Sequence, residues 1–291
     1  MRSKLFVPGC RPELFVKAMD GAADALSFDL EDSVAQAGKA QARADLAAFL
    51  RSARALASDK TLIVRTNAPD SADFEADLQA LAGARVDLLN VPKVESADDV
   101  LHAIEALERH LHRDGGLPGL LVNIETPKGL RDAARIAAAH PGVAGLQLGL
   151  GDLFEPLGID RRRGENVHSA MFAVRLAAAQ AGVFACDSAH PEFRDGAQFQ
   201  AEAELARSLG FVGKSCIHPR QVEWANAIFR VGEAEVAAAQ RVVEAARVAR
   251  DAGRGAFSVD GRMVDPPFLR RAEAIIAAAQ RQSTHVTEPN R

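Results

Sequence analysis

An alternation constrains this chain more than any other feature. Short apolar, β-branched-rich runs recur at residues 4–8 (KLFVP), 25–30 (ALSFDL), 61–66 (TLIVRT), 86–91 (VDLLNV), 120–125 (LLVNIE), 144–149 (AGLQLG), 183–187 (VFACD) and 211–217 (FVGKSCI). Between them lie Ala-, Leu- and Arg-rich segments of helical period, such as 39–56, 96–111 and 165–182, the last closed by Gly182 where a helix C-cap belongs. Near-continuously apolar strands separated by helices describe a parallel sheet covered on its outside. Eight such units within about 220 residues predict a (β/α)8 TIM barrel, an α/β fold. A doubly wound open sheet competes, but its Gly-rich first turn is missing: VPGCRPELF (7–15) is not G-x-G-x-x-G.

The chain has 291 residues, more than the roughly 250 of a bare barrel. The surplus lies after the eighth run: a long helix over 232–253, a turn-rich SVDGRMVDPP (258–267), a last helix over 268–280, and a tail expected to fray. The expected organisation is a barrel domain over 1–230 and a C-terminal helical segment over 231–291. With 48% hydrophobic residues and a net charge of −4, the chain is neither disordered nor built like a dedicated nucleic-acid binder. No apolar run nears the roughly 20 residues that span a bilayer, and the N-terminal LFV is too short for a signal-peptide core, so a cytoplasmic location is expected. Cys10, Cys186 and Cys216 are isolated, which suits reduced structural thiols rather than a zinc site or a disulfide framework.

In such a barrel the active groups come from the C-terminal ends of several strands. Run two ends in Asp29, Glu31 and Asp32; run three in Arg65 and Asn67; run four in Lys93; run five in Glu125. Run six leads to Asp152, run seven ends in Asp187, and run eight carries Lys214 and leads to His218. Singly, each could cap a helix or solvate a rim; jointly they read as a site. Glu125 and Asp152, from adjacent strands and with the run-two acids nearby, would offer hard oxygen ligands to one small cation. Mg2+ suits them, since it commonly takes one or two protein carboxylates and leaves its other positions to water and substrate. Arg65 supplies a planar donor fork for a carboxylate or enolate oxygen, the alternative being an ion pair with Glu31 or Asp29 that ties strands together. Lys93 reads as a rim residue rather than a Schiff-base lysine, His218 as a cap at the run-eight turn, and Ser188 and Ser215 as turn formers. There is no G-x-S-x-G elbow, no Walker loop and no tyrosine.

The strings RSKLFVPG (2–9), FDLEDSV (28–34), VRTN (64–67), IETPKG (124–129), LGLGDL (148–153), GFVGKSCIHPRQ (210–221) and SVDGRMVDPP (258–267) together resemble the citrate lyase beta-subunit-like family. That family belongs with the malyl-CoA and citramalyl-CoA lyases in the HpcH/HpaI aldolase superfamily, and the likeness spans about residues 2–280. The resemblance implies a (β/α)8 fold, Mg2+, and Claisen-type chemistry on 3-hydroxyacyl-CoA thioesters in homotrimers or hexamers. It implies Glu125 and Asp152 as metal ligands, Arg65 at the thioester oxygen, and Asp265 as an acid/base on a C-terminal lid delivered to a neighbouring subunit. Arg2 and Ser3 are expected near the CoA ligand, with Pro8, Glu31, Asp32 and Lys93 completing the substrate-binding set. One departure stands out: relatives carry an Ala-rich D-L-A-x-D-L-G type string after the metal aspartate, whereas this chain reads DLFEPLGIDRR (152–162). Phe154, Glu155 and Pro156 are therefore expected to alter the pocket floor and the choice of acyl group.

The implied reaction cleaves a malyl- or citramalyl-type CoA ester to a 2-oxo acid and an acyl-CoA. Three alternatives stay open: a thioesterase on the same site, a citrate lyase subunit acting only on an acyl-carrier-protein thioester within a complex, and a free 2-oxo-acid aldolase. The C-terminal extension counts against the last, whose chains are shorter.

Overall fold

The structure, a computed structural model, describes residues 1–111, 116–251, 253 and 257–284. Its eight barrel strands are β1 (Ser3–Pro8), β2 (Ala25–Asp29), β3 (Thr61–Arg65), β4 (Leu88–Val91), β5 (Gly119–Ile124), β6 (Val143–Leu148), β7 (Phe184–Asp187) and β8 (Gly213–Cys216). They pair in parallel in sequence order, and β8 closes onto β1. The helices of this unit are α1 (Glu13–Met19), α2 (Lys39–Leu50), α3 (Ala53–Leu56), α4 (Ala72–Leu81), α5 (Ala97–His110) and α6 (Pro127–Ala137). They continue with α7 (Leu150–Phe154), α8 (Gly164–Ala181), α9 (Ala197–Leu209) and α10 (Pro219–Ile228). The fold is thus the TIM barrel that the alternation predicts, each apolar run forming one strand.

Alternation along the strands sorts side chains between two environments. Leu26, Phe28, Leu62, Val64, Leu89, Val122, Leu146 and Leu148 are all fully buried and join the main core with helix residues such as Phe15, Leu46 and Phe74. Ala25, Ile63 and Leu121, of opposite parity, form a separate small cluster with Leu88 and Phe184 inside the barrel. Nearer the C-terminal ends that interior turns polar. Lys4, fully buried, lies 4.3 Å from the Phe6 ring centroid and donates to Asn90 Oδ1 at 3.4 Å. Asn90 Nδ2 donates to Asn123 Oδ1 (2.5 Å), and Asn123 Nδ2 to Glu125 Oε2 (3.0 Å). A chain of hydrogen bonds therefore runs from the barrel interior to its mouth.

Helix ends follow local chemistry. Ser96 and Asp99 form a capping box at the start of α5, and Gly182, at φ +73°, ends α8 as its position suggests. The single helix expected over 39–56 is instead two. Ser52 takes an extended backbone and accepts from Ala55 N (3.3 Å), breaking the run into α2 and α3, because a serine hydroxyl competes for backbone donors.

Two charges expected at the mouth belong elsewhere. Asp187 and Lys214 are fully buried on the helix-facing side of β7 and β8. Lys214 Nζ reaches Asp187 at 2.7 Å and Glu202 of α9 at 3.1 Å, and Arg161 grips Glu202 with two bonds of 2.9 and 2.8 Å. They form an ionic cluster between barrel and helix layer, because the residue after inward-facing Cys186 must point outward. Burial works against the Glu202 charge, but Lys214 and Arg161 outweigh it and hold the carboxyl at about 2.

The segment from Arg230 onward is a second compact unit. Its helices α11 (Glu233–Asp251) and α12 (Pro266–Thr284) flank a hairpin of β9 (Phe257–Val259) and β10 (Arg262–Val264). The turn-rich segment is thus a hairpin, and the signal for it was the Asp260-Gly261 pair, both at positive φ (51° and 77°), as a two-residue type I′ turn requires. Helix α12 extends to Thr284, so residues 281–284 of the expected tail are helical; 285–291 lie outside the described residues. No helix among the described residues is long and apolar enough to cross a membrane.

Glu202→Ala leaves Lys214 and Arg161 buried with a partner removed, and is expected to lower unfolding free energy by about 3–5 kcal/mol at pH 7. The carboxyl is held below its ordinary 4.5, so its stabilisation is complete above that value and is lost as pH falls from there toward 2. Urea unfolding of wild type and variant should therefore differ at pH 7 and converge in acid.

Candidate active site

Register places Asp29 of β2 beside Arg65 of β3, and Arg65 beside Asn90 of β4. Arg65 Nε donates to Asp29 Oδ1 (2.7 Å) and Nη2 to Oδ2 (2.8 Å), a bidentate grip across adjacent strands. Nη1 lies 2.8 Å from Glu31 Oε2 and 3.4 Å from Asp32 Oδ2. The guanidinium also faces the Phe6 ring at 5.0 Å. The alternative of a strand-tying ion pair is therefore realised, yet one Nη2 hydrogen remains for a ligand oxygen. Burial opposes the Asp29 charge, but Arg65 outweighs it and keeps this carboxyl below its usual range.

Glu125 follows β5 directly and is buried. Its Oε1 accepts from Lys93 N (2.6 Å) and its Oε2 from Asn123 Nδ2 (3.0 Å). Lys93 takes a left-handed backbone, φ +54°, which is uncommon for a residue with a Cβ and aims its amide at that carboxylate. Its Nζ meanwhile pairs with Glu31 Oε1 at 2.7 Å. Lys93 is thus a half-exposed rim residue that also holds both acids. Gly149 is required by the same carboxylate: a Cβ there would stand 2.5 Å from Glu125 Cβ and 2.7 Å from Oε2. Asp152, on the first turn of α7, is exposed and close enough to disfavour ionisation of Glu125. Burial pushes the Glu125 carboxyl up to about 7 against the Lys93 amide, and Asp152 and Glu31 add to the shift.

Among the described residues no three His, Cys, Asp or Glu side chains gather as a ready ligand set. A pair fits a different guest. A buried carboxylate that resists its charge because a second faces it gains most from a small hard cation, which needs only one or two such ligands. Glu125 and Asp152 are the residues that could hold it.

The mouth therefore brings together Glu31, Asp32, Arg65, Lys93, Glu125 and Asp152, with Pro8 at the end of β1 beside Asp29. It does not bring Arg2 and Ser3, which lie at the opposite end of β1. Arg2 is ion-paired with Asp24 at 2.8 Å, and Ser3 Oγ, buried, donates to Asn226 Oδ1 at 2.7 Å. Phe154 does not line the mouth floor either: it is 3% exposed within the main core, while Glu155 and Pro156 sit on an exposed 3-10 turn. His218 caps α10, accepting from Arg220 N at 3.2 Å. Ser188 and Ser215 are buried hydrogen-bonding groups, with Ser215 Oγ 3.2 Å from Gln147 Oε1 and Ser188 Oγ accepting from Leu150 N at 3.1 Å. Asp265 precedes α12 and carries a buried Oδ1 with no hydrogen-bond partner among the described residues. Sequence reasoning missed Lys4, Asn90 and Asn123; their signal was polarity inside otherwise apolar runs.

Beside the mouth, a groove of about 530 Å³ is lined by Leu5, Val7, Pro8, Leu14, Ile217 and Val222, with Lys17 also on its wall. It is largely apolar and reaches the end of β1 at Pro8.

The family model described as HpcH/HpaI aldolase/citrate lyase matches residues 2–219. The chain is 38% identical over 283 residues to the citrate lyase subunit beta of Escherichia coli (strain K12), covering 96% of this chain and 93% of that one. It is equally 38% identical over 280 residues to the (3S)-malyl-CoA thioesterase of Cereibacter sphaeroides (strain KD131), covering 96% and 94%. The crystal structure of Mycobacterium tuberculosis CitE in complex with magnesium, acetoacetate and coenzyme A superposes with a TM-score of 0.76 at 34% identity, covering 96% of this chain and all of that one.

Gly149→Ala is expected to destabilise the fold by about 1–3 kcal/mol, because the new methyl must displace Glu125 or the strand that bears it. Gly151→Ala, two residues on and with nothing within 4 Å, is the control and should be neutral or mildly stabilising in the same urea titration.

Proposed function

Because the chain is an enzyme of the HpcH/HpaI aldolase/citrate lyase family, we propose that it is a magnesium-dependent carbon–carbon lyase. It cleaves or forms a 3-hydroxyacyl-CoA thioester of malyl-CoA or citramalyl-CoA type, with a 2-oxo acid and an acyl-CoA on the other side of the reaction. The observation that carries this reading is the buried Glu125 facing Asp152 at the mouth that Arg65 also enters. The relatives' bound magnesium and coenzyme A support the same assignment.

Magnesium, when bound by Glu125 and Asp152, supplies Lewis-acid polarisation of substrate oxygens. The chain's own residues do the rest. Arg65 donates to the thioester oxygen. The substrate hydroxyl gives its proton to the Asp265 carboxylate, and the hydroxyl oxygen's electron pair forms the carbonyl of the 2-oxo acid. The carbon–carbon bond then breaks, and its pair passes to the acyl-CoA fragment as an enolate. Arg65 meets the charge on the enolate oxygen, and since Asp29, Glu31 and Asp32 raise its own proton affinity against the effect of burial, it stays a cation throughout. Asp265 then passes that proton to the carbon, working in the mouth of a neighbouring copy within a homotrimer or hexamer; its Oδ1, without a hydrogen-bond partner among the described residues, supports that role. The apolar groove takes the pantetheine arm, whose apolar character it suits.

Purified protein with Mg2+ should release a 2-oxo acid from malyl-, citramalyl- or methylmalyl-CoA. Release of the free hydroxy diacid instead would make the chain a thioesterase, and activity confined to acyl-carrier-protein thioesters would make it a subunit of a larger complex. Arg65→Ala should lower kcat by about 10²–10³, and Asp265→Asn by about 10²–10⁴.

Cation affinity should also follow the Glu125 proton. Below about pH 7 that carboxyl is protonated and must release a proton to bind Mg2+. Apparent affinity is then expected to fall by about tenfold per pH unit on the acid side and to level off above it, read by calorimetry. Glu125→Gln should abolish the dependence together with the binding.

A further inference from the structure

Lys39, the first residue of α2, is buried, and its ammonium makes three hydrogen bonds. Nζ donates to Leu30 O (2.9 Å), Glu31 O (3.1 Å) and Asn67 Oδ1 (2.5 Å). Asn67 is itself immobilised, its N and Nδ2 both donating to Asp77 Oδ2 at 2.8 and 2.7 Å. Asp77, fully buried, receives Arg43 Nη1 on its other oxygen at 3.1 Å. We propose that Lys39 is a positioning residue for the reaction: it locks the Leu30–Glu31 backbone so that the Glu31 carboxylate fixes the plane of the Arg65 guanidinium.

The geometry argues this in two steps. Asp29 holds the Nε and Nη2 edge of Arg65, which leaves the guanidinium free to hinge about that edge. Glu31 Oε2, an ion-pair partner 2.8 Å from Nη1, restrains that hinging by charge attraction. Glu31 can do so only if its own backbone is fixed, and it is held from both sides: its N–H donates to Asp29 Oδ1 at 3.0 Å, and its carbonyl accepts from Lys39. The second step concerns residue type. Three acceptors converge on one buried point, and an ammonium is the side-chain group with three donors, no acceptor and free rotation. A guanidinium presents a planar fork that does not match three converging oxygens, so Arg is not an equivalent here. All three Lys39 donors are engaged on the loop and on Asn67, so its influence on Arg65 passes through Glu31.

This inference rests on the reading that Arg65 meets the thioester oxygen. The test compares Lys39→Met, Lys39→Arg, Glu31→Gln and the Lys39→Met/Glu31→Gln double variant, with Arg65→Ala alongside. Readouts are kcat and KM at saturating Mg2+, Mg2+ affinity by calorimetry, and urea unfolding. A misplaced guanidinium costs transition-state stabilisation, so Lys39→Met should lower kcat by about 10- to 100-fold with KM little changed. Mg2+ affinity should be retained, because Glu125 and Asp152 stand on other elements. The double variant should be no worse than its poorer single parent, the signature of one lever acting at two points. Lys39→Arg should resemble Lys39→Met, and it carries the comparison if Lys39→Met does not fold.

Additive losses, intact kcat in a destabilised Lys39→Met, wild-type kcat in Lys39→Arg, or a parallel fall in Mg2+ affinity would each overturn the inference. Full turnover by Arg65→Ala would instead overturn the proposed function, and the two failures are distinguishable because they concern different variants.

Discussion

Side chains on a strand alternate faces, and in a closed barrel the two faces meet different surroundings. One face packs against helices; the other points into a narrow interior that opens to solvent only at its ends. For the strand-borne charges, the role follows from which face each falls on. Asp29, Arg65 and Glu125 share the inward parity of Ala25, Ile63 and Leu121, and they lie where the interior meets solvent. Asp187 and Lys214 have the other parity and are sealed beneath α9, where they can only stabilise. The strands are short, so one residue of slippage would exchange these roles.

The inward parity concentrates acids at the mouth, and the structure answers with cations placed at different depths. Arg65 and Lys93 stand among the carboxylates, and Lys4 lies below them in full burial. Burial pushes the Lys4 amine down to about 8, with Arg65 acting in the same direction while the Asp29 carboxylate opposes it. An isolated amine so deeply buried could shift much further, so nearby negative charge is part of what keeps it protonated at neutral pH. The same arrangement explains why Glu125 differs from Asp29. Asp29 has a guanidinium on both oxygens, whereas Glu125 receives only amide donors and faces another acid. One carboxylate is therefore locked as an anion for positioning, and the other is left short of positive charge.

The strands and the acids at their ends were legible because both signals are local: apolar runs between helical segments, and charge where a run stops. Parity at a strand's end was not legible. VFACD does not reveal whether Asp187 faces in or out, since that depends on pairing with β6 and β8. Arg2 and Ser3 were misplaced for a related reason: they belong to a motif whose mouth end is Pro8, and a six-residue strand separates its two ends. Phe154 was misread because a helix turns it into the core within one residue of an exposed turn. Lys39 could not have been singled out, because the three oxygens that define its role converge from residues 30, 31 and 67 only after folding.

The mouth is itself a poor place to store folding energy. It holds mutually repelling acids and a lysine with a left-handed backbone, each of which costs stability when considered alone. The opposing contributions lie on the other faces of the same strands, in the helix-packed core of Leu26, Phe28, Val64 and Leu146 and in the sealed Lys214–Glu202–Arg161 cluster. Because outer and inner residues alternate one by one, each strand carries its own support directly behind its functional group. A barrel built this way can alter the charge pattern of its mouth without changing the surface that holds it closed. It also follows that damage to the helix-facing side should be read in stability, and damage to the loop behind Arg65 in turnover. That separation of consequences is the physical reason to treat Glu202 and Lys39, both buried and both in ionic or hydrogen-bonded clusters, as different kinds of residue.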